Sequence, residues 1–149
     1  KFKTMYRKTF FVLVFSLLAM AASAQLGVSY HESSMPFLGF NYELDDQYFG
    51  ELRIGANNYF EDVAFELTAN YIFLKNSNFD LYGGIGGRTT HFSGLVIPAG
   101  LNLYPFEDKH FGFHLEAAGL FGEVSVLRAS WGIRYRFGST GPAQEEPED

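Results

Sequence analysis

From Ala129 to Phe137 the chain alternates without a break: Ala129, Trp131, Ile133, Tyr135 and Phe137 fall on one face, and Ser130, Gly132, Arg134 and Arg136 on the other. Successive side chains of an extended strand point to opposite faces, so this is a two-faced strand with charge on one side. Similar stretches recur about every 12 to 15 residues. The pattern predicts strands over 26–32, 36–45, 47–57, 62–74, 79–90, 93–105, 110–121 and 124–137. Turn-forming residues separate them: Ser33, Ser34 and Pro36; Asp45 and Asp46; Asn57 and Asn58; Asn76, Ser77 and Asn78; Ser93 and Gly94; Glu107 and Asp108; Gly122 and Glu123. Between Gln25 and Gly138 there is no helical period and no long apolar run. The expected fold is therefore all-β. Adjacent antiparallel strands joined by short loops form an up-and-down meander, and closing the meander removes the exposed edges that an open sheet would present. The expected architecture is an eight-stranded antiparallel up-and-down β-barrel.

Alternation alone does not say which face is inside. A soluble periplasmic barrel carrying an apolar ligand would turn its apolar face inward, and a transmembrane barrel would turn it to lipid. The apolar face comprises Leu38, Phe40, Tyr42, Leu52, Ile54, Ala56, Val63, Phe65, Leu67, Tyr71, Phe73, Leu95, Ile97, Leu101, Phe111, Phe113, Leu115 and Phe121. The polar face carries Asn41, Glu43, Glu51, Arg53, Glu66, Thr68, Asn70, Asp80, Arg88, His114, Glu116, Arg134 and Arg136. Three features favour the transmembrane assignment. The polar face is rich in glycine (Gly39, Gly55, Gly84, Gly86, Gly100, Gly112, Gly132), as a crowded narrow lumen requires. Its charges are of both signs, while lysine beyond residue 24 occurs only at Lys75 and Lys109, both at turns. Aromatic residues, among them Tyr30, Tyr42, Tyr48, Tyr59, Phe73, Phe79, Tyr104, Phe111, Phe121, Tyr135 and Phe137, gather towards strand ends, where membrane interfaces place aromatic girdles. An unpaired buried charge is costly, so Glu43, Glu51, Glu66 and Glu116 are expected to pair with Arg53, Arg88, Arg134 and Arg136. Eight strands enclose only enough space for side chains, so the expected lumen is a charged plug and not a pore.

The two ends differ from this middle. Lys1, Lys3, Arg7 and Lys8 precede an apolar run from Phe10 to Ala22, and Ala22, Ser23 and Ala24 fit a small-x-small cleavage rule. Residues 1–24 thus read as a cleaved secretory signal peptide, with an apolar run shorter than the roughly 20 residues a membrane-spanning helix needs. Residues 25–138 are the barrel. Residues 139–149, rich in Gly, Pro and acid, are expected to be a disordered, solvated tail. All 17 acidic residues but only seven of the 11 basic ones follow Ala24, so residues 25–149 carry a formal charge of −10. No basic patch for nucleic acid remains. The chain has no cysteine, which excludes disulfides and thiolate metal sites.

With its export signal, its eight two-faced strands and a closing strand WGIRYRF from Trp131 to Phe137, the chain resembles small bacterial outer-membrane barrels of the outer-membrane protein X type over residues 25–138. That resemblance implies a location in the outer membrane of a Gram-negative bacterium, with outer-membrane lipid as surroundings. It also implies recognition of the terminal strand, through Phe137, by the barrel-assembly machinery, although here residues 138–149 follow that phenylalanine. Barrels of this topology serve as adhesins, structural anchors or lipid enzymes, and fold does not choose among them. Without long loops on the outward side, the expectation is a monomeric, non-enzymatic protein with a structural or surface-interaction role and no cofactor.

The enzymatic alternative rests on His91, Phe92 and Ser93. His and Ser two apart on a strand share a face, where an imidazole activates a hydroxyl. The pair resembles the His-x-Ser motif of the outer-membrane lipid A 3-O-deacylases, a resemblance that implies ester hydrolysis with Glu123 orienting His91. The run Gly83, Gly84, Gly86 and Gly87 lacks the Lys-Ser/Thr of a phosphate loop and reads as a bent strand. His31, His110 and His114 are too dispersed for a metal cluster, and the acidic pairs Asp45–Asp46 and Glu107–Asp108 read as turn residues.

Overall fold

The computed structural model describes residues 25–56, 63–89 and 93–137. The signal segment 1–24, the acidic tail 139–149 and His91 lie outside the described residues. The strands are β1 (Gln25–Glu32), β2 (Phe37–Glu43), β3 (Tyr48–Ala56), β4 (Val63–Lys75), β5 (Phe79–Arg88), β6 (Gly94–Leu103), β7 (Phe111–Gly122) and β8 (Val126–Arg136). No boundary departs from the sequence-based expectation by more than two residues.

Each strand pairs antiparallel with its neighbours in order, and β1 closes on β8 to complete a barrel. The closing seam runs from Gly27 opposite Arg136 to Glu32 opposite Trp131. A bulge in β4 between Ile72 and Leu74 shifts the register against β5, so that Phe73 and Leu74 both face outward. The connections after β2, β4 and β6 lie at the end of the barrel that carries the chain termini. At the first of them, the Asp45 carboxylate accepts from the backbone N–H groups of Gln47 (2.7 Å) and Tyr48 (2.9 Å), which fixes the tight turn.

The barrel is inside out relative to a soluble protein. Leu38, Phe40, Leu52, Phe65, Leu67, Ile97, Leu115, Trp131 and Ile133 are exposed on its outer wall, whereas Glu51, Arg53, Glu66, Asp80, His114, Glu116 and Arg128 are buried inside. A soluble barrel with an apolar cavity needs the opposite arrangement, which removes that alternative. At the termini-bearing end the outward rings touch one another: Tyr48 and Tyr71 are 5.1 Å apart between centroids, Phe111 and Phe113 5.2 Å, and Tyr135 and Phe137 5.2 Å. They form a belt of the kind found at a membrane interface. Tyr104, which the sequence placed with these girdle residues, instead points into the lumen and is buried. Parity explains it, since Tyr104 continues the inward series Val96, Pro98, Gly100 and Asn102 of β6.

Two glycines show why the lumen needs them. A Cβ on Gly39 would collide with the Glu51 carboxylate and the Ser29 hydroxyl, and a Cβ on Gly100 would meet the Tyr82 ring at 2.5 Å. Long side chains thus lie over the neighbouring strand at the positions where a glycine leaves room for them.

Candidate functional site

Strand pairing sets the lumen. Arg53 and Glu66 sit opposite each other on β3 and β4, and Glu66 is next to Arg88 on β5. Gly100 of β6 faces Glu116 of β7, so Tyr82 reaches over the glycine and donates its hydroxyl to Glu116 at 2.8 Å. The curvature of an eight-stranded wall then brings strands that never pair into contact across the centre.

Arg53, 1 % exposed, is the hub. Its Nε donates to Glu51 (2.8 Å), its Nη1 to Glu66 (2.8 Å) and Glu116 (2.8 Å), and its Nη2 to the second Glu116 oxygen (2.5 Å). Arg128 approaches Glu66 with both terminal nitrogens, at 2.8 and 2.9 Å, and reaches Glu116 at 3.4 Å. Such two-pronged guanidinium–carboxylate pairing is the strongest form of this contact. Arg88 adds a third cation to Glu66 at 3.3 Å. Over this cluster lies the Phe37 ring, 4.6 Å from the Arg128 guanidinium and 5.1 Å from that of Arg53, which adds cation–π attraction. On the other side of Glu51, the Ser29 hydroxyl donates at 2.6 Å and His31 Nε2 lies at 3.1 Å. The His31 ring in turn is 3.8 Å from that of His114.

Towards the termini, Arg136 holds two carboxylates, Glu43 at 2.6 Å and Asp80 at 3.3 Å. Arg134 donates to the neutral Asn41 oxygen at 3.0 Å and lies over the Phe49 ring at 5.3 Å. The expectation that Arg134 pairs with a carboxylate therefore fails, because Arg136 engages both acids of this layer. Phe49, Ile72 and Tyr82 form an apolar patch beside it, and Val96, Ala118 and Leu120 form another towards the opposite end.

The sequence-predicted lumen residues Glu43, Glu51, Arg53, Glu66, Arg88, His114, Glu116, Arg134 and Arg136 all face inward in the structure. Sequence reasoning missed Arg128, Ser29, His31 and Asn102, which are equally buried. Parity with Arg134 and Arg136 would have found Arg128, and parity along β1 would have found Ser29 and His31. Among the described residues, five buried carboxylates (Glu43, Glu51, Glu66, Asp80, Glu116) face five buried guanidinium groups (Arg53, Arg88, Arg128, Arg134, Arg136). The lumen is neutral without a counter-ion from solvent. Among these residues no cluster of three His, Asp or Glu side chains is arranged to hold a metal.

Of the alternative catalytic set, His91 lies outside the described residues. Ser93 and Glu123 are exposed just beyond the paired residues Gly94 and Gly122, at the rim opposite the termini. No hydrogen bond joins their side chains. Phe137, the residue assigned to assembly, is exposed on the outer wall, and its backbone N–H donates to Leu26 at 2.7 Å.

No family model and no curated protein matches the chain. Solved structures do. The N-terminal β-barrel domain of Pseudomonas aeruginosa OprF is 19 % identical and matches over 76 % of this chain and 96 % of its own, with a TM-score of 0.58. The attachment invasion locus protein Ail of Yersinia pestis is 19 % identical over 76 % of this chain and 97 % of its own, with a TM-score of 0.52. A de novo designed barrel, TMB2.3, is 16 % identical over 77 % and 95 %, with a TM-score of 0.59. The chain has the fold of these small proteins, a closed eight-stranded transmembrane β-barrel.

Proposed function

We propose that this chain is an outer-membrane protein of a Gram-negative bacterium, exported by a cleaved signal peptide, whose barrel is a plugged, non-enzymatic module with a structural or surface-interaction role. The observation that carries this reading is the neutral lumen, in which every carboxylate is held by an arginine across the space an ion would have to cross. Passage of an ion would require breaking buried pairs, each costing several kcal/mol. The outer wall supplies lipid contact, and the Phe137 strand end supplies the contact for the assembly machinery. The interior carboxylates are engaged by arginines, and no group of three His, Asp or Glu side chains among the described residues is placed to hold a metal. Interaction with other molecules then belongs to the rim and to the surface around it. The fold likeness to OprF and Ail supports the location.

The test combines three measurements on one preparation. The protein should sediment with outer membranes, migrate as a compact band that shifts on boiling, and give no single-channel steps when reconstituted into planar bilayers. Solubility without detergent would refute the membrane assignment, and stable channels would refute the plug. A Ser93→Ala variant tests the hydrolase alternative: release of fatty acid from lipid A by the parent and not by the variant would replace the non-enzymatic reading.

A further inference from the structure

Among the described strand residues, two charged side chains face outward, Glu32 and Lys75. Lys75 sits at a turn of the termini-bearing end, where it pairs with Asp46. Glu32 is different. It shares the outward face of β1 with Tyr30, whose hydroxyl donates to its carboxylate at 2.5 Å. Across the seam it is opposite Trp131, and β8 runs on past that point towards the distal rim through outward Ala129 to Leu127, 79 % exposed. The carboxylate therefore lies at a level where the neighbouring outer wall is still apolar, a costly place for an ionisable group that nothing cationic meets. No Lys or Arg among the described residues meets it, because the five arginines are buried in the lumen and both lysines are at the opposite end.

A row of small residues leads away from Glu32. Ala129 of β8, Ala117 of β7, Ala99 of β6 and Gly83 of β5 are directly opposite one another, and all four lie on the outward face. Trp131, Leu115 and Leu101 flank the row on the side of the termini, and Leu127, Ile97 and Ile85 on the distal side. The result is a shallow trough, roughly 14 Å long at the usual strand spacing. Its far end is closed by the Phe73 ring, 3.3 Å from where a Cβ on Gly83 would stand. Ala129 is three residues from Val126 at the distal end of its strand, and Gly83 is five from Arg88. Because barrel strands are tilted, the trough descends into the membrane as it leaves Glu32. An acyl chain hanging from a headgroup at the interface takes the same course.

We propose that Glu32 and this trough bind one phospholipid with a primary ammonium headgroup, of the phosphatidylethanolamine class. The ammonium donates to the Glu32 carboxylate beside the Tyr30 hydroxyl, and one acyl chain lies over Ala129, Ala117 and Ala99. A quaternary ammonium has no N–H to donate, and a divalent metal needs more oxygen ligands than one carboxylate and one hydroxyl supply. The site rests on the lipid-facing wall and is independent of what the lumen does.

The experiment uses the full chain reconstituted in vesicles of brominated phosphatidylcholine, with emission read from Trp131, the single tryptophan, across the seam from Glu32. Unbrominated lipid restores emission as it displaces the quencher. Phosphatidylethanolamine should do so about three- to fivefold more effectively than phosphatidylcholine, the range of a half-exposed ion pair. Glu32→Gln should bring the two lipids level. Ala117→Phe, which fills the middle of the trough, should lower the preference while quenching persists. Equal displacement by the two lipids in the parent, or a preference that survives either substitution unchanged, would overturn the proposal. Absence of quenching by brominated chains in every variant would instead remove the lipid-facing wall, and the site with it.

Discussion

Replacing Arg53 by Met tests whether the lumen is held by charge compensation. Arg53 touches three carboxylates, but its loss does not strip all three. Glu66 keeps the two-pronged contact with Arg128 and the contact with Arg88, and Glu116 keeps Arg128 and the Tyr82 hydroxyl. Glu51 alone loses its only direct arginine contact and keeps the Ser29 hydroxyl and His31. One uncompensated buried charge costs about 3–5 kcal/mol, and that, not three times as much, is the expected loss. Adding Glu51→Gln removes the stranded charge while keeping an acceptor for Ser29, and should recover all but about 1–2 kcal/mol. The assay is urea unfolding in lipid vesicles, followed by emission of Trp131, the single tryptophan, and by the gel shift of the compact form. A single variant costing less than about 1 kcal/mol would refute the compensation argument, as would a double variant no more stable than the single.

Three further outcomes follow from the same architecture. Leu67→Arg, on the outer wall where Leu67 is 63 % exposed, should cost about 2–4 kcal/mol in bilayers if it lies near the midplane, measured by unfolding from vesicles. Trp131, 61 % exposed, should be quenched strongly by brominated acyl chains and weakly by aqueous acrylamide in the folded protein, a ratio that a water-facing wall would invert. Gly100→Val should cost about 1–3 kcal/mol by driving a side chain into the Tyr82 ring, and Gly100→Val with Tyr82→Ala should be less destabilised than the sum of the two single changes in a double-mutant cycle.

The strands were legible because a wall with lipid outside and charge inside writes its two faces into every second residue. Arg134 and Arg136 could be placed inside from parity alone. Which carboxylate each would meet could not. Arg53 and Glu116 are 63 residues apart on strands that do not pair, and they meet only because the barrel has a particular radius and stagger. The same holds for Arg136, which spans from β8 to Asp80 of β5 and thereby leaves Arg134 to Asn41. His31 stands near a strand end, where alternation has few residues left to establish itself, whereas Arg128 shares the unbroken parity of Arg134 and Arg136 and was legible. The Tyr104 position shows the converse, an aromatic at a strand end that parity sends inward.

The seam between β1 and β8 has a kinetic meaning. Every other ladder joins strands adjacent in sequence and is formed by closing a short loop, so the meander can zip hairpin by hairpin. The seam instead joins Gly27 to Arg136, and no part of it can form until the last strand is in place. Loop-closure entropy grows slowly with length, but contacts of such separation slow folding markedly. A circular permutant that links Gln25 to Phe137 and opens the chain at the 44–47 turn would make the present seam a local hairpin and move the distant pairing elsewhere on the wall. The finished barrel would be unchanged, and only the order of its closing would differ.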